Sequence, residues 1–222
     1  MRTGFACLFY GAPGTGKTET VMQLAPATGR SIFQVNMANI RDKWVGESEK
    51  NVKAIFSQYQ NAVRNSSIAP ILLLNEADAL LGGRFTEVNH SVERMENTMQ
   101  NIILEEIEKL NGILIATTNL TCNLDSAFER RFLFKVKFHA PEASVRKDIW
   151  RTMIPQLDDD TALQLAMRYN FSGSQIENIA RKSQIENILE GTTPDFNTLR
   201  AFCDEECLAK PQSKIVGFRN VV

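Results

Sequence analysis

Between Tyr10 and Thr20 the chain reads Gly11-Ala12-Pro13-Gly14-Thr15-Gly16-Lys17-Thr18-Glu19, which contains the spacing G-x-x-x-x-G-K-T. No other stretch restricts the fold as much. Glycines let a backbone curl so tightly that successive N–H groups point at one anion. The pattern is informative when it lies between a strand and a helix. Both flanks are present. Phe5-Ala6-Cys7-Leu8-Phe9-Tyr10 is an apolar run suited to a buried strand, and Glu19-Thr20-Val21-Met22-Gln23-Leu24 reads as helix. The start of that helix adds the positive end of its dipole. In such a cradle Lys17 reaches the β- and γ-phosphates of a nucleotide, and the Thr18 hydroxyl holds Mg²⁺. Gly11 to Glu19 are therefore the candidate nucleotide-binding residues. The competing reading is a glycine-rich turn with no ligand.

A chain of 222 residues, 43% hydrophobic and 23% charged, has ample material for one large domain or two small ones. With 25 basic and 26 acidic residues the formal charge is -1, so no basic excess argues for nucleic acid or an anionic membrane. No apolar run approaches the roughly 20 residues that span a bilayer, and no signal peptide is visible. The four cysteines, Cys7, Cys122, Cys203 and Cys207, lack metal-site spacing. They read as reduced thiols of a cytoplasmic protein. Nucleotide-binding domains of this kind usually carry chain ahead of the first strand. Met1 is therefore expected to mark a cut or truncated product, with part of the base pocket upstream.

Farther along, Ser31 to Met37 reads as a second strand. Trp44 and Val45 follow in a polar stretch, just before a helix whose apolar residues are Val52, Ile55, Phe56, Tyr59 and Val63. Ile71-Leu72-Leu73-Leu74 reads as a strand buried on both faces, as in a parallel sheet. It ends in Asn75-Glu76-Ala77-Asp78, polar groups at the strand end where open α/β sheets bind ligands. Asp78 fits either a strand-end network or a local cap. Arg84 lies in the following loop, where a subunit-interface role and a solvated charge are both open. A long amphipathic helix spans Val92 to Leu110. Gly112 to Asn119 is another buried strand, ending in polar residues; Asp125 to Arg131 is a short helical turn; Phe132 to Phe138 alternates as a fifth strand.

Strands alternating with helices predict an α/β fold: a five-stranded parallel sheet flanked by helices. His139-Ala140-Pro141-Glu142 marks a boundary, beyond which every segment is helical. The predicted organisation is an α/β nucleotide-binding subdomain over residues 1–140 and a small all-helical lid over residues 141–222. His90 and His139 read as solvated or structural. Asp158-Asp159-Asp160 suits a helix start. The Gln-Ile-Glu-Asn runs beginning at Gln175 and Gln184 are too closely spaced to be a solenoid unit.

In this order the motifs resemble those of the AAA+ ATPases, and within them the AAA clade of peptide-threading and complex-disassembling machines. The resemblance covers nearly the whole chain and implies a P-loop NTPase fold with ATP and Mg²⁺ as ligands. It also implies roles. Glu76 matches the Walker B glutamate that polarises the attacking water. Asn119 matches sensor 1, and Arg130 and Arg131 match paired arginines, of which one or both act on the nucleotide of a neighbouring subunit. A shared site implies self-association, typically as a hexameric ring. Gly173 and Ser174 match the sensor-2 helix start, although alanine usually follows this glycine. Trp44-Val45 matches the pore loop that grips a threaded polypeptide; packing of Trp44 in the core is the competing reading.

One departure stands out. The residue before the Walker B glutamate, a metal-associated position, is usually aspartate, and here it is Asn75. Losing that charge is expected to weaken Mg²⁺ binding by roughly 1–2 kcal/mol and slow hydrolysis without abolishing it. The expected function is an ATP-hydrolysing motor that remodels or unfolds protein substrates. The alternative is a nucleotide-dependent assembly module with negligible turnover. A nucleic-acid motor is disfavoured by the absence of a basic stripe.

Overall fold

The computed structural model describes residues 4–37, 48–81, 91–120, 125–191 and 195–208. The apolar runs form strands β1 (Phe5–Gly11), β2 (Ile32–Asn36), β3 (Ile71–Asn75), β4 (Ile113–Thr118) and β5 (Phe134–Phe138). They make one sheet in the order β2-β3-β4-β1-β5, and every pairing is parallel. This is the predicted α/β architecture. Between the strands lie helices α1 (Lys17–Ala27), α2 (Ser48–Asn65), α3 (Asp78–Leu81), α4 (Ser91–Glu108) and α5 (Ser126–Glu129).

Side chains alternate across a strand, so one strand feeds two cores. Ala6 and Leu8 of β1 join Leu72, Leu74, Leu114 and Ala116 against α2 and α4, where Val52, Phe56, Ile103 and Ile107 are buried. Cys7 and Phe9 face the other way, with Leu73 and Ile115, onto Val21 and Ala25 of α1. Ile71 to Leu74 are all buried, which explains their uninterrupted apolar run. β5 is an edge strand paired only to β1, and Lys135 and Lys137 are exposed there. Charged residues on an edge discourage further pairing.

Tyr59 ties α2 to the sheet. Its hydroxyl lies 3.0 Å from the carbonyls of Pro70 and Ile113 and accepts from the Ile113 N–H at 2.9 Å. Gly112 makes room for it: a Cβ there would lie 2.3 Å from the Tyr59 oxygen, and its φ of +142° disfavours side chains.

The chain divides into two compact units, Met1–His139 and Ala140–Val222. The second contains α6 (Ala143–Met153), α7 (Asp159–Arg168), α8 (Gly173–Glu190) and α9 (Phe196–Leu208). Its core gathers Trp150, Leu165, Ile176, Ile179, Leu199 and Cys203. Asp158 caps α7 by accepting the Thr161 N–H at 2.8 Å. Arg146 is buried, and its guanidinium donates to the Ala166 carbonyl at 2.8 and 2.9 Å and to Asn170 Oδ1 at 2.8 Å. Among the described residues, no helix is long and apolar enough to cross a membrane.

Candidate active site

β3, β4 and β1 are neighbours running in one direction, so their carboxyl ends lie side by side. Tyr10, just before the glycine-rich turn, registers with Thr118. The loop, the Asn75-Glu76 pair and Asn119 therefore come from three adjacent strand ends.

Gly16 opens α1 with a φ of 90° and offers no side-chain cap. The first N–H groups of the helix are thus left without a side-chain acceptor from the capping residue, as an anion site requires. Thr15 Oγ1 donates to the Ala12 carbonyl at 2.8 Å and closes the loop on itself. Lys17 is buried, with Nζ donating to the carbonyls of Gly11 at 2.9 Å and Ala12 at 2.8 Å. Burial lowers its pKa from the usual lysine range, and the Asp78 carboxylate opposes that shift. Glu19 is exposed and accepts from Gln23 one turn along α1 at 2.8 Å.

From Thr18 a chain of hydrogen bonds crosses the strand ends. Thr18 Oγ1 donates to Asn75 Oδ1 at 2.7 Å. Thr117 Oγ1 donates to the same oxygen at 2.8 Å and accepts the Glu76 N–H at 3.2 Å. Glu76 is the one described non-glycine residue with positive φ, at 56°. A left-handed residue costs roughly 1–2 kcal/mol and persists where neighbours hold it, often at functional sites. Its side chain is exposed.

Asp78 does what a strand-end residue does rather than only capping its own turn. Oδ1 accepts from Thr118 Oγ1 at 2.5 Å, the Asn119 N–H at 2.6 Å and the Leu120 N–H at 3.3 Å. Oδ2 lies 3.4 Å from Asn119 Nδ2. Asn119 is thereby fixed at the mouth of the site with an exposed side chain.

The donor set at Thr18 and Asn75 fits a hard cation. Both groups present oxygen, 2.7 Å apart, and Mg²⁺ takes one or two protein ligands while keeping waters and phosphate oxygens. Among the described residues no group of three or more His, Cys, Asp or Glu could hold a metal by itself.

Other predicted site residues stand outside this network. Arg130 and Arg131 follow α5, and their backbone N–H groups close its end, on the Ser126 carbonyl at 3.3 Å and the Phe128 carbonyl at 2.9 Å. Arg130 is exposed and, among the described residues, its side chain makes no hydrogen bond or ion pair. Arg131 is engaged: Nη1 donates to the Ala127 carbonyl at 3.0 Å and Nη2 meets Glu108 at 2.5 Å. Gly173 and Ser174 start α8 in the second unit. Ser172 and Gln175 form a capping box there, and Ser174 Oγ lies 3.2 Å from Ser172 Oγ. Trp44, Val45, Arg84, His90 and Cys122 lie outside the described residues.

Thr117 is the residue to which sequence reasoning gave no role. The available signal was a pair of threonines, Thr117-Thr118, ending an otherwise apolar strand beside Asn119.

The family model described as "ATPase family associated with various cellular activities (AAA)" matches residues 7–141. The chain is 31% identical over 206 residues to fidgetin-like protein 1 of Drosophila melanogaster, covering 87% of this chain and 38% of that protein. It is 29% identical over 188 residues to cell division protein C of Sulfolobus acidocaldarius, covering 82% and 50% respectively. It is 27% identical over 212 residues to the pachytene checkpoint protein 2 homolog of Arabidopsis thaliana, covering 89% and 44%. The chain thus spans between 38% and 50% of the length of these relatives.

Proposed function

The chain belongs to the AAA family of ATPases, and from that premise we propose that it binds ATP with Mg²⁺ and hydrolyses it slowly, as the motor domain of a self-associating machine that remodels protein substrates. The observation that supports this most is the continuous link Thr18–Asn75–Thr117–Glu76 beside a buried Lys17. A glycine-rich turn without a ligand has no need for a left-handed glutamate held at the next strand end.

In this reading the loop from Gly11 to Gly16 wraps the phosphates with backbone N–H groups. Lys17 supplies its ammonium to the β- and γ-phosphates. Bound Mg²⁺ would neutralise phosphate oxygens, held on the protein side by Thr18 and Asn75. Glu76 orients the attacking water and takes its proton. Asn119, pinned by Asp78, aligns the same water. Arg130, whose exposed side chain is unengaged among the described residues, reaches the nucleotide of an adjacent copy, while Arg131 is held by Glu108 and the Ala127 carbonyl. An arginine delivered in trans is worth roughly 10³–10⁵ in rate. Gly173 and Ser174 begin the helix that the resemblance assigns to nucleotide sensing, and Trp44-Val45 grips polypeptide, with an aromatic ring suited to contact without sequence demand. A hexameric ring is the expected assembly.

Asn75 favours a second reading, an ATP-dependent assembly module with negligible turnover. Phosphate release measured against protein concentration separates the two, with Glu76→Gln as the blank. A specific rate that climbs with concentration supports the motor. A rate equal to the blank at every concentration supports the assembly module.

A further inference from the structure

We infer that Thr117 is a positioning residue that makes asparagine serviceable at position 75, by fixing which end of its amide faces Thr18 and the cation. The inference rests on the nucleotide-binding reading above and gives Thr117 a role that the resemblance above does not assign to it.

A carboxylate has two equivalent oxygens, so turning it over changes nothing. An amide has one acceptor end and one donor end. With Oδ1 toward Thr18, Asn75 offers the cation an oxygen. With Nδ2 in that place it would offer two N–H groups, which a cation repels. A site that uses asparagine here therefore needs something that selects the orientation.

Thr117 is placed to select it. It is 2% exposed, so water does not complete its hydrogen bonds. Its oxygen accepts the Glu76 N–H at 3.2 Å. That leaves the hydroxyl hydrogen to find an acceptor, and Asn75 Oδ1 lies 2.8 Å away. If the amide were reversed, Thr117 would face two donors, the Glu76 N–H and the Asn75 Nδ2. Its own hydrogen would then be buried without a partner, which is the costly outcome. The Glu76 N–H thus orients the hydroxyl, and the hydroxyl orients the amide. Thr118 does not compete for this task, because its hydroxyl is committed to Asp78 at 2.5 Å.

The relay also reaches the other neighbour. The Glu76 bond to Thr117 is a side-chain anchor for a residue held at φ 56°. One hydroxyl therefore sets the cation-facing atom of Asn75 and the backbone of Glu76 together. Backbone pairing alone could hold the strand ends, since the Ala77 N–H donates to the Thr117 carbonyl at 2.9 Å whatever the side chain.

The test is a double-mutant cycle read by binding. Fluorescent ATP analogue affinity is titrated against Mg²⁺ for the wild-type chain, Thr117→Val, Asn75→Asp and the double variant. Thermal unfolding of each is recorded in parallel. Thr117→Val should need about tenfold more Mg²⁺ for the same nucleotide binding, the scale of one hydrogen bond to a critical polar group. In the Asn75→Asp background the same change should cost less than about twofold, because a carboxylate needs no orienting. Thr117→Ser keeps the hydroxyl and should match the wild type. Should Thr117→Val fail to fold, Thr117→Ala carries the same expectation. Equal losses in both backgrounds overturn the inference, as does unchanged Mg²⁺ dependence in a folded Thr117→Val. If the wild-type chain binds no nucleotide at all, the proposed function falls first and takes the inference with it.

Discussion

Thr18 and Asn75 are 57 residues apart in the chain, yet the Thr18 hydroxyl donates to Asn75 Oδ1 at 2.7 Å. This contact joins the first turn of α1 to the end of β3, at the pair of oxygens where the proposed function seats a cation. It also shows what aspartate would change. The acceptor geometry would stay and a negative charge would be added, roughly doubling the strength of each hydrogen bond it accepts.

Asn75→Asp should therefore tighten Mg²⁺-dependent nucleotide binding by about 1–2 kcal/mol, or roughly 5- to 30-fold. Hydrolysis should rise with it. Calorimetric titration with and without Mg²⁺, beside a phosphate-release assay, measures both. No gain in either would mean that the charge at this position is immaterial.

Asp78 holds Asn119 through its backbone N–H at 2.6 Å, with the side-chain amide 3.4 Å away. It reaches the Lys17 ammonium only electrostatically, raising its pKa against the lowering by burial. Asp78→Asn should consequently lower turnover at saturating ATP by about tenfold or more, while nucleotide affinity falls by much less. Steady-state kinetics set against equilibrium binding separates the two. A matched fall in both would place Asp78 in nucleotide binding and not in the alignment of Asn119.

Much of this was legible from the order of residues, and the exceptions have physical causes. Polar groups ending buried apolar runs, Asn75 and Glu76 after Leu74 and Asn119 after Thr118, marked the strand ends that meet. Thr117 carried no assigned role because threonine is an ordinary strand residue and nothing local says whether its hydroxyl is used. Asp78 was undecided between two roles because both require the same short acceptor, and only the register of β4 beside β3 chose between them. Arg130 and Arg131 were indistinguishable as adjacent cations. What separates them is Glu108, a residue of α4, which takes one and leaves the other in solvent.

That separation gives a paired expectation. Arg131→Ala removes the contacts to Glu108 and the Ala127 carbonyl and should cost about 0.5–1 kcal/mol, since both charged side chains are partly exposed. Arg130→Ala removes no side-chain hydrogen bond or ion pair among the described residues and should leave the melting temperature unchanged. It should instead flatten the rise of specific hydrolysis rate with protein concentration. Differential scanning fluorimetry and the concentration series test the pair. Arg130 is not the arginine acting in trans if its loss leaves that rise intact.

The helical unit should be sensitive to alkali through two buried groups. Tyr169 donates to Asp204 Oδ1 at 2.6 Å, and burial, then that carboxylate, push its pKa up to about 12 from 10.0. Cys203 is fully buried, and its thiol is pushed up to about 12 from 9.0, chiefly by burial. In both cases the folded chain holds the proton more tightly than the unfolded chain. Their contribution to stability is therefore complete below the unfolded values and is lost as pH rises through the window up to about 12. Unfolding by urea, followed by helical circular dichroism from about pH 8 to about pH 12, should show stability falling across that window. Tyr169→Phe deletes only the titrating oxygen, so its stability should fall less steeply, even if it starts lower for want of the Asp204 bond. Parallel profiles for the variant and the wild type would show that Tyr169 keeps its proton no better folded than unfolded, and that the alkaline loss arises elsewhere.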